Sequence, residues 1–228
     1  MPYSQHRIPK ILIINPNSDR EMAEKIDKNA KSFMGESAEV ITLCAPGSNQ
    51  FISTYEDHAK SLSGMMRLLE ENKDKYDAFV IACHADPNLD LMKEIAPYKP
   101  VVGIAEASMK IATMLGHSFS VISPAERSVP NKLALVDKYN LRRDLASVRV
   151  AEGAVSEESL LNAARKAVSE DHAEVLVLGC AGFAGLDKKI ESELHVPVLD
   201  GVVCALIIAA GLVHYGVGIS KICRYKHV

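Results

Sequence analysis

Two cysteines stand at the same place in what read as two copies of one unit. Cys83 closes the run Tyr76-Asp-Ala-Phe-Val-Ile-Ala-Cys83, and Cys180 closes Ala173-Glu-Val-Leu-Val-Leu-Gly-Cys180, 97 positions later. Lys99-Pro100-Val-Val is matched at the same offset by Val196-Pro197-Val-Leu. Each cysteine therefore ends an apolar strand and precedes a second short strand at the same distance. Two related halves that each contribute one thiol can close on a single cleft. There one thiolate takes a proton from an acidic carbon, and the other thiol returns one from the opposite face. A free thiol, with a pKa near ~8.5, is ionised to only a few per cent at neutral pH. A helix N-terminus lowers that value, because its unpaired N–H groups favour the anion. Both cysteines fall in strand-to-helix loops, so a lowered pKa is the expectation. A free cysteine also serves as a small buried hydrophobe. The equivalent placement and the setting Leu178-Gly179-Cys180-Ala181-Gly182 favour chemistry for these two. Cys44, Cys204 and Cys223 fit packing better, Cys44 being the one nearest a pocket edge.

Other residues near the two thiols have double readings. His84 can raise thiolate character or bond a substrate carbonyl. Cys83-His84 would also suit a metal, but a metal site needs three or four ligands, and no H-x-x-x-H or Cys/His cluster supplies them. No metal is expected. Asp86 and Asp200 can tune the site, although Asp200-Gly201 reads better as a helix cap, and Glu106 is similarly ambiguous. Asn15-Pro-Asn17-Ser18 is either a turn and cap or a pair of amides for a polar ligand. The chain has neither a G-x-x-x-x-G-K-[ST] phosphate loop nor a G-x-G-x-x-G fingerprint, and no lysine setting indicates a Schiff base. The economical expectation is a reaction without a cofactor.

The elements that must position these groups are legible. The chain has 228 residues, 48% hydrophobic and 24% charged, with a formal net charge of −3. That is enough for one or two domains, and it offers no basic surface for nucleic acid. The ending, with Lys221, Arg224, Lys226 and His227, reads as a solvated tail. The start, Met1–Arg7, lacks the apolar core of a signal peptide. The longest apolar run, Val202–Val213, is too short for a bilayer and reads as a buried helix. No membrane association is expected, and the unpaired thiols point to a reducing cytoplasm. Strands are predicted at 10–14, 40–43, 78–82, 101–104, 119–122, 147–150, 175–178 and 196–199. Helices are predicted at 19–33 (capped by Ser18 or Asn17), 55–72, 89–96, 106–115, 128–138, 157–170, 188–194 and from 201 onward. Strands alternating with helices argue for an α/β fold with parallel, right-handed sheets. Ligands on such sheets bind at the carboxyl ends of the strands, where Asn15, Cys83, Ser123 and Cys180 all fall.

Several of these segments together resemble the aspartate/glutamate/hydantoin racemase superfamily: Ile14-Asn-Pro-Asn-Ser18, Ile81-Ala-Cys83-His-Ala-Asp-Pro87, Val102-Gly-Ile-Ala-Glu-Ala107, Val177-Leu-Gly-Cys-Ala-Gly-Phe183 and Val196-Pro-Val-Leu-Asp-Gly-Val202. The resemblance implies two similar, pseudo-symmetric α/β domains with parallel sheets and an active site in the cleft between them. The halves would be 1–105 and 106–228, with the C-terminal helix 200–220 packing back on the first. It also implies proton transfer by one cysteine from each half, without metal or pyridoxal phosphate. Amino-acid racemases of the family usually carry Gly-Cys-Thr-Glu at the second cysteine, where the threonine helps hold a carboxylate. This chain has Gly179-Cys180-Ala181-Gly182, so the resemblance is to the hydantoin and allantoin racemase branch. Arylmalonate decarboxylases keep one cysteine, and both are present here. The chain departs from hydantoin racemases at His84, where an apolar or small residue is common, and at Ser123-Pro124, where they often carry Thr-Thr. The implied substrate is a 5-substituted hydantoin or allantoin, with another superfamily isomerase or a non-catalytic small-molecule binder as alternatives. Asn15, Asn17, His84, Ala85, Ser123, Ala181 and Gly182 would hold the ring, with no cation beside the second cysteine. Arg127 reads as an exposed residue at a helix start that can also reach the cleft. A homo-oligomer is expected.

Overall fold

A computed structural model describes residues 8–226. Met1–Arg7 and His227 therefore lie outside the described residues. Strands and helices alternate as β1 (Lys10–Asn15), α1 (Arg20–Met34), β2 (Glu39–Cys44), α2 (Tyr55–Asn72), β3 (Ala78–Ile81), α3 (Leu89–Ile95), β4 (Val101–Gly103) and α4 (Ile104–Leu115). The second half continues with β5 (Phe119–Ser123), α5 (Val129–Lys138), β6 (Leu145–Val150), α6 (Glu157–Ser169), β7 (Val175–Leu178), α7 (Asp187–Leu194), β8 (Val198–Leu199) and α8 (Gly201–Tyr215). Two parallel four-stranded sheets result, ordered β2-β1-β3-β4 and β6-β5-β7-β8. The winding is the same in both, and β3/β7, β4/β8 and α4/α8 each begin at the 97-residue offset.

The central strands are uninterrupted apolar runs because both of their faces are covered. Ile11, Ile13 and Val80 pack toward α1 and α8, whereas Leu12, Ile14, Phe79 and Ile81 pack toward α2 and α3. In the second sheet Ile122, Leu176 and Leu178 meet α6 and α7, and Phe119, Val121 and Val177 meet α4 and α5. The helices that end the two halves are exchanged. Ala105, Met109 and Ala112 of α4, which follows the first sheet, join the core of the second. Val202, Ala205 and Leu206 of α8, which follows the second sheet, join the core of the first.

Three sequence expectations shift. Helix α1 is capped by Asp19, whose carboxylate accepts from Met22 N at 3.0 Å. Neither Ser18 nor Asn17 caps it, since the Asn17 side chain instead accepts from Asp19 N at 3.0 Å and from Asn15 Nδ2 at 2.6 Å. Strand β6 begins earlier than predicted, where the pairing with β5 shifts register between Phe119 and Ser120. The C-terminal segment is only partly a solvated tail. Lys221 caps the end of α3 through the carbonyls of Lys93 and Glu94, at 2.7 and 2.9 Å, while Arg224 and Lys226 are exposed.

Candidate active site

The carboxyl ends of β3 and β7 face one cavity of about 430 Å³, and Cys83 and Cys180 both line it. So do Asn17, His84, Ala85, Ala181 and Gly182. Two predicted contacts lie outside it. Asn15 is fully buried under the turn, with Nδ2 on Asn17 and its Oδ1 unpartnered. Ser123 is also fully buried, and its hydroxyl is taken by Ser128 Oγ at 2.6 Å and Ala125 O at 3.2 Å. Both shape loops rather than lining the cavity.

The two thiol loops repeat in detail. Cys180 Sγ accepts from Gly182 N at 3.4 Å, and Cys83 Sγ accepts from Ala85 N. The two amides are themselves related by the 97-residue offset. Gly179 lets the second loop approach β5, because a Cβ there would stand 2.6 Å from Ile122 O. The expectation of a lowered pKa at Cys83 is not met. Burial pushes this thiol up to about 11, against the Lys132 charge and the Ala85 amide, which pull it down. Cys83 precedes α3 by several residues and gains no help from that helix terminus.

Asp86 and Asp200 both serve helix N-termini. Asp200 caps α8, its Oδ1 accepting from Val202 N at 2.7 Å, while Oδ2 accepts from Gly185 N at 3.0 Å and Asn29 Nδ2 at 2.9 Å. Asp86 reaches from the Cys83 loop to the N-terminus of α4, accepting from Ala105 N at 3.1 Å and Glu106 N at 2.7 Å. The Tyr139 hydroxyl donates to it at 2.6 Å. Burial raises the Asp86 carboxyl to about 6 despite these donors. Its carboxylate occupies the space beside Gly103, where a Cβ would lie 2.4 Å from Oδ1. Glu106, itself largely buried, is held by Lys93 and Lys110, at 2.5 and 2.7 Å.

His84 is buried, and both of its ring nitrogens are engaged. Nε2 lies 3.3 Å from Ser108 Oγ and Nδ1 lies 3.0 Å from Lys132 Nζ, so neither is free for a substrate carbonyl. Burial followed by the Lys132 charge holds the His84 pKa well below its ordinary value. Lys132, unmarked in the sequence reading, lines the cavity with the two thiols. The expectation of no cation beside the second cysteine is therefore wrong. Arg127 is exposed at the turn before α5 and also lines the cavity. Phe51 and Val155 enter from the loops after the equivalent strands β2 and β6. Among the described residues, no three His, Cys, Asp or Glu side chains converge as a metal site, and no helix is long and apolar enough to cross a membrane.

Such an arrangement offers two thiols from equivalent loops in one cavity, together with backbone amides and a buried cation. Residues 11–209 match the Asp/Glu/hydantoin racemase family. The chain is 35% identical to the hydantoin racemase of Pseudomonas sp. (strain NS671), over 96% of this chain and 91% of that one. Its fold superposes on the allantoin racemase of Klebsiella pneumoniae with a TM-score of 0.92 and 30% identity, covering 96% of this chain and 94% of the other. The allantoin racemase of Pseudomonas fluorescens gives a TM-score of 0.91 at 30% identity, covering 96% and 97%.

Proposed function

The chain belongs to the Asp/Glu/hydantoin racemase family, and on that premise we propose that it racemises a 5-substituted hydantoin or allantoin with Cys83 and Cys180 as the two proton carriers. It is an isomerase. The observation that carries the reading is the presence of two thiols from equivalent loops in one cavity. One thiolate removes the C5 proton, and the electron pair of the broken C–H bond moves onto the adjacent carbonyl as an enolate. The opposite thiol then delivers its proton to the other face of C5. The thiolate has changed sides, and the next turnover runs in reverse. The amides of Ala85 and Gly182, each within reach of a sulfur, favour charge as it develops. A hydantoin C5–H is acidified by a carbonyl and a ring nitrogen, which suits a thiolate better than the α-hydrogen of a free amino acid.

No metal or organic cofactor enters this scheme. Asn17, Ala85, Ala181 and Gly182 are the residues assigned to the ring. The mouth of the cavity carries Phe51, Ile52 and Val155, which supports an apolar C5 substituent. The chain divides near residue 105 into halves that exchange α4 and α8. A second copy is assigned to the outer face of those two helices, where Met114, Leu115, Ile207 and Tyr215 are exposed. Free thiols throughout support residence in a reducing cytoplasm.

Lys132 and Arg127 favour a second reading, in which the substrate carries a carboxylate. The two are separated by measuring loss of optical rotation with 5-isobutylhydantoin, 5-benzylhydantoin, allantoin, aspartate and glutamate, with and without a chelator. Apolar hydantoins are expected to have the highest kcat/KM, unchanged by chelation. Faster turnover of aspartate or glutamate would overturn the substrate class.

A further inference from the structure

Lys132 is a charge without an anion. It lies in the first turn of α5 and is 3% exposed. Its Nζ donates to His84 Nδ1 at 3.0 Å and to the backbone oxygen of His84. Among the described residues it forms no ion pair. The direction of the hydrogen bonds follows from Ser108. That hydroxyl donates to Ile104 O at 2.7 Å, so it accepts from His84 Nε2–H. Nδ1 is then a bare acceptor, and only Lys132 faces it. An ammonium has three donors, and His84 takes two. The third is left for the cavity that Lys132 lines.

A buried cation of this kind is costly unless an anion faces it. No Asp or Glu lines the cavity. The charged and titratable groups around Lys132 are Cys83, His84 and Asp86 from the loop after β3, and Cys180 from the loop after β7. His58 of α2 and Arg127 before α5 also line the cavity. Asp86 acts on Lys132 only at a distance, because Tyr139 and the α4 amides hold its oxygens. Burial is the leading influence on Lys132 and pushes its pKa down, while Cys83, then Cys180, then Asp86 favour its charged form. Lys132 in turn draws the Cys83 thiol toward ionisation, against the stronger effect of that thiol's burial. The missing anion is therefore one that the thiol pair can supply.

We propose that Lys132, aimed by the His84–Ser108 pair, is the cation that holds one negative charge on the thiol pair, keeping the site as one thiolate and one thiol. The inference rests on the two-thiol reading above and deepens it. As the proton leaves C5, the charge moves from sulfur to enolate oxygen and then to the second sulfur. Lys132 remains beside it throughout, and no bond to nitrogen is made or broken. His84 is a positioning residue, since it acts only by orienting Lys132.

The test needs no substrate. Carbamidomethylation of Cys83 and Cys180 by iodoacetamide is followed by peptide mass across pH 6–11, in the wild type and in Lys132→Met, Lys132→Gln, Lys132→Arg and His84→Phe. Lys132→Met is expected to react at least ten times more slowly near pH 7.5, with its midpoint moved to higher pH. Lys132→Arg should stay close to the wild type, and His84→Phe should fall between. If Lys132→Met does not fold, as read by circular dichroism, Lys132→Gln carries the test, because it keeps a donor to His84 and lacks the charge. A folded neutral variant that titrates like the wild type overturns the proposal. Failure of the racemase reading would look different: normal thiol titration with no turnover of any hydantoin.

Discussion

Two sulfur atoms, a lysine and an imidazole make up the centre of the proposed site, and the residue-scale prediction follows from what an oxygen cannot do. A serine hydroxyl is far less acidic than a thiol, so it cannot act as the base. Cys83→Ser and Cys180→Ser are each expected to reduce kcat for racemisation by at least about a thousandfold, within the range of lost general-base catalysis, with the fold intact by circular dichroism. Full activity in either would remove the two-thiol mechanism. The pH profile has a definite sign. Because burial pushes the Cys83 thiol up to about 11 against the pull of Lys132, the share of Cys83 present as thiolate grows as pH rises above neutral. Wild-type kcat/KM should therefore climb from pH 7 into the alkaline range, equally for both enantiomers, since their equilibrium constant is one. The thiols were legible in the sequence because a repeat marks them twice. Lys132 carried a weaker mark. It stands three and four positions before the buried Leu135 and Val136, on the stripe of α5 that faces inward. A lysine on an apolar stripe signals a buried charge, but the sequence alone did not say that His84 would meet it.

The loop between β2 and α2 brings Phe51 to the cavity, and one carboxylate fixes its course. Asp57, in the first turn of α2, accepts from Ser53 N at 2.9 Å, Thr54 N at 2.8 Å and Asn49 Nδ2 at 2.6 Å. The Ser53 amide and the Asn49 side chain lead in holding its carboxyl well below the usual carboxylate range. Thr54 completes a capping box by accepting from Asp57 N at 3.0 Å. Asp57→Ala is expected to leave α2 in place, raise KM for 5-benzylhydantoin several-fold and change kcat little. An unchanged KM would show that the loop holds itself. This element was the easiest to read: helix 55–72 agrees residue for residue, because its cap is local chemistry. The cap of α1 differs from the sequence expectation for a reason equally local. Ser18 and Asp19 compete for one site, and the carboxylate interacts more strongly with a helix N-terminus than a hydroxyl does. The short strand β8 and the register shift beside β5 depend on pairing across the sheet, which periodicity along the chain does not report.

Across the whole molecule, the exchange of α4 and α8 locks the two sheets together. Each half completes its core with the other's last helix. Helix α8 is apolar on nearly every side, yet Ile207 and Tyr215 remain 50% and 62% exposed. Helices of that kind are normally covered, and Met114 and Leu115 extend the patch on α4. Sedimentation of the wild type should show an oligomer, and Ile207→Asp should shift it to monomer while preserving the monomer's circular dichroism. A monomeric wild type would reject the assignment of a second copy to this face. The repeat also explains why the sequence exposed so much of the fold: identical winding wrote the same signals twice, 97 residues apart. One place where the symmetry fails is the negative charge at the N-termini of α4 and α8. In the second half it comes from Asp200, the residue just before the helix. In the first half the matching position is Gly103, and Asp86 fills the vacated space from a different loop. Genetically, these two positions should show sign epistasis. Gly103→Asp alone would force a second carboxylate onto the first and lower the melting temperature by several degrees. Asp86→Ala alone would leave α4 uncapped. The double variant restores one charge to one helix and should melt above both. A swap that is harmless when made at both positions is closed to either single change, so the two halves cannot drift back toward a common sequence one residue at a time.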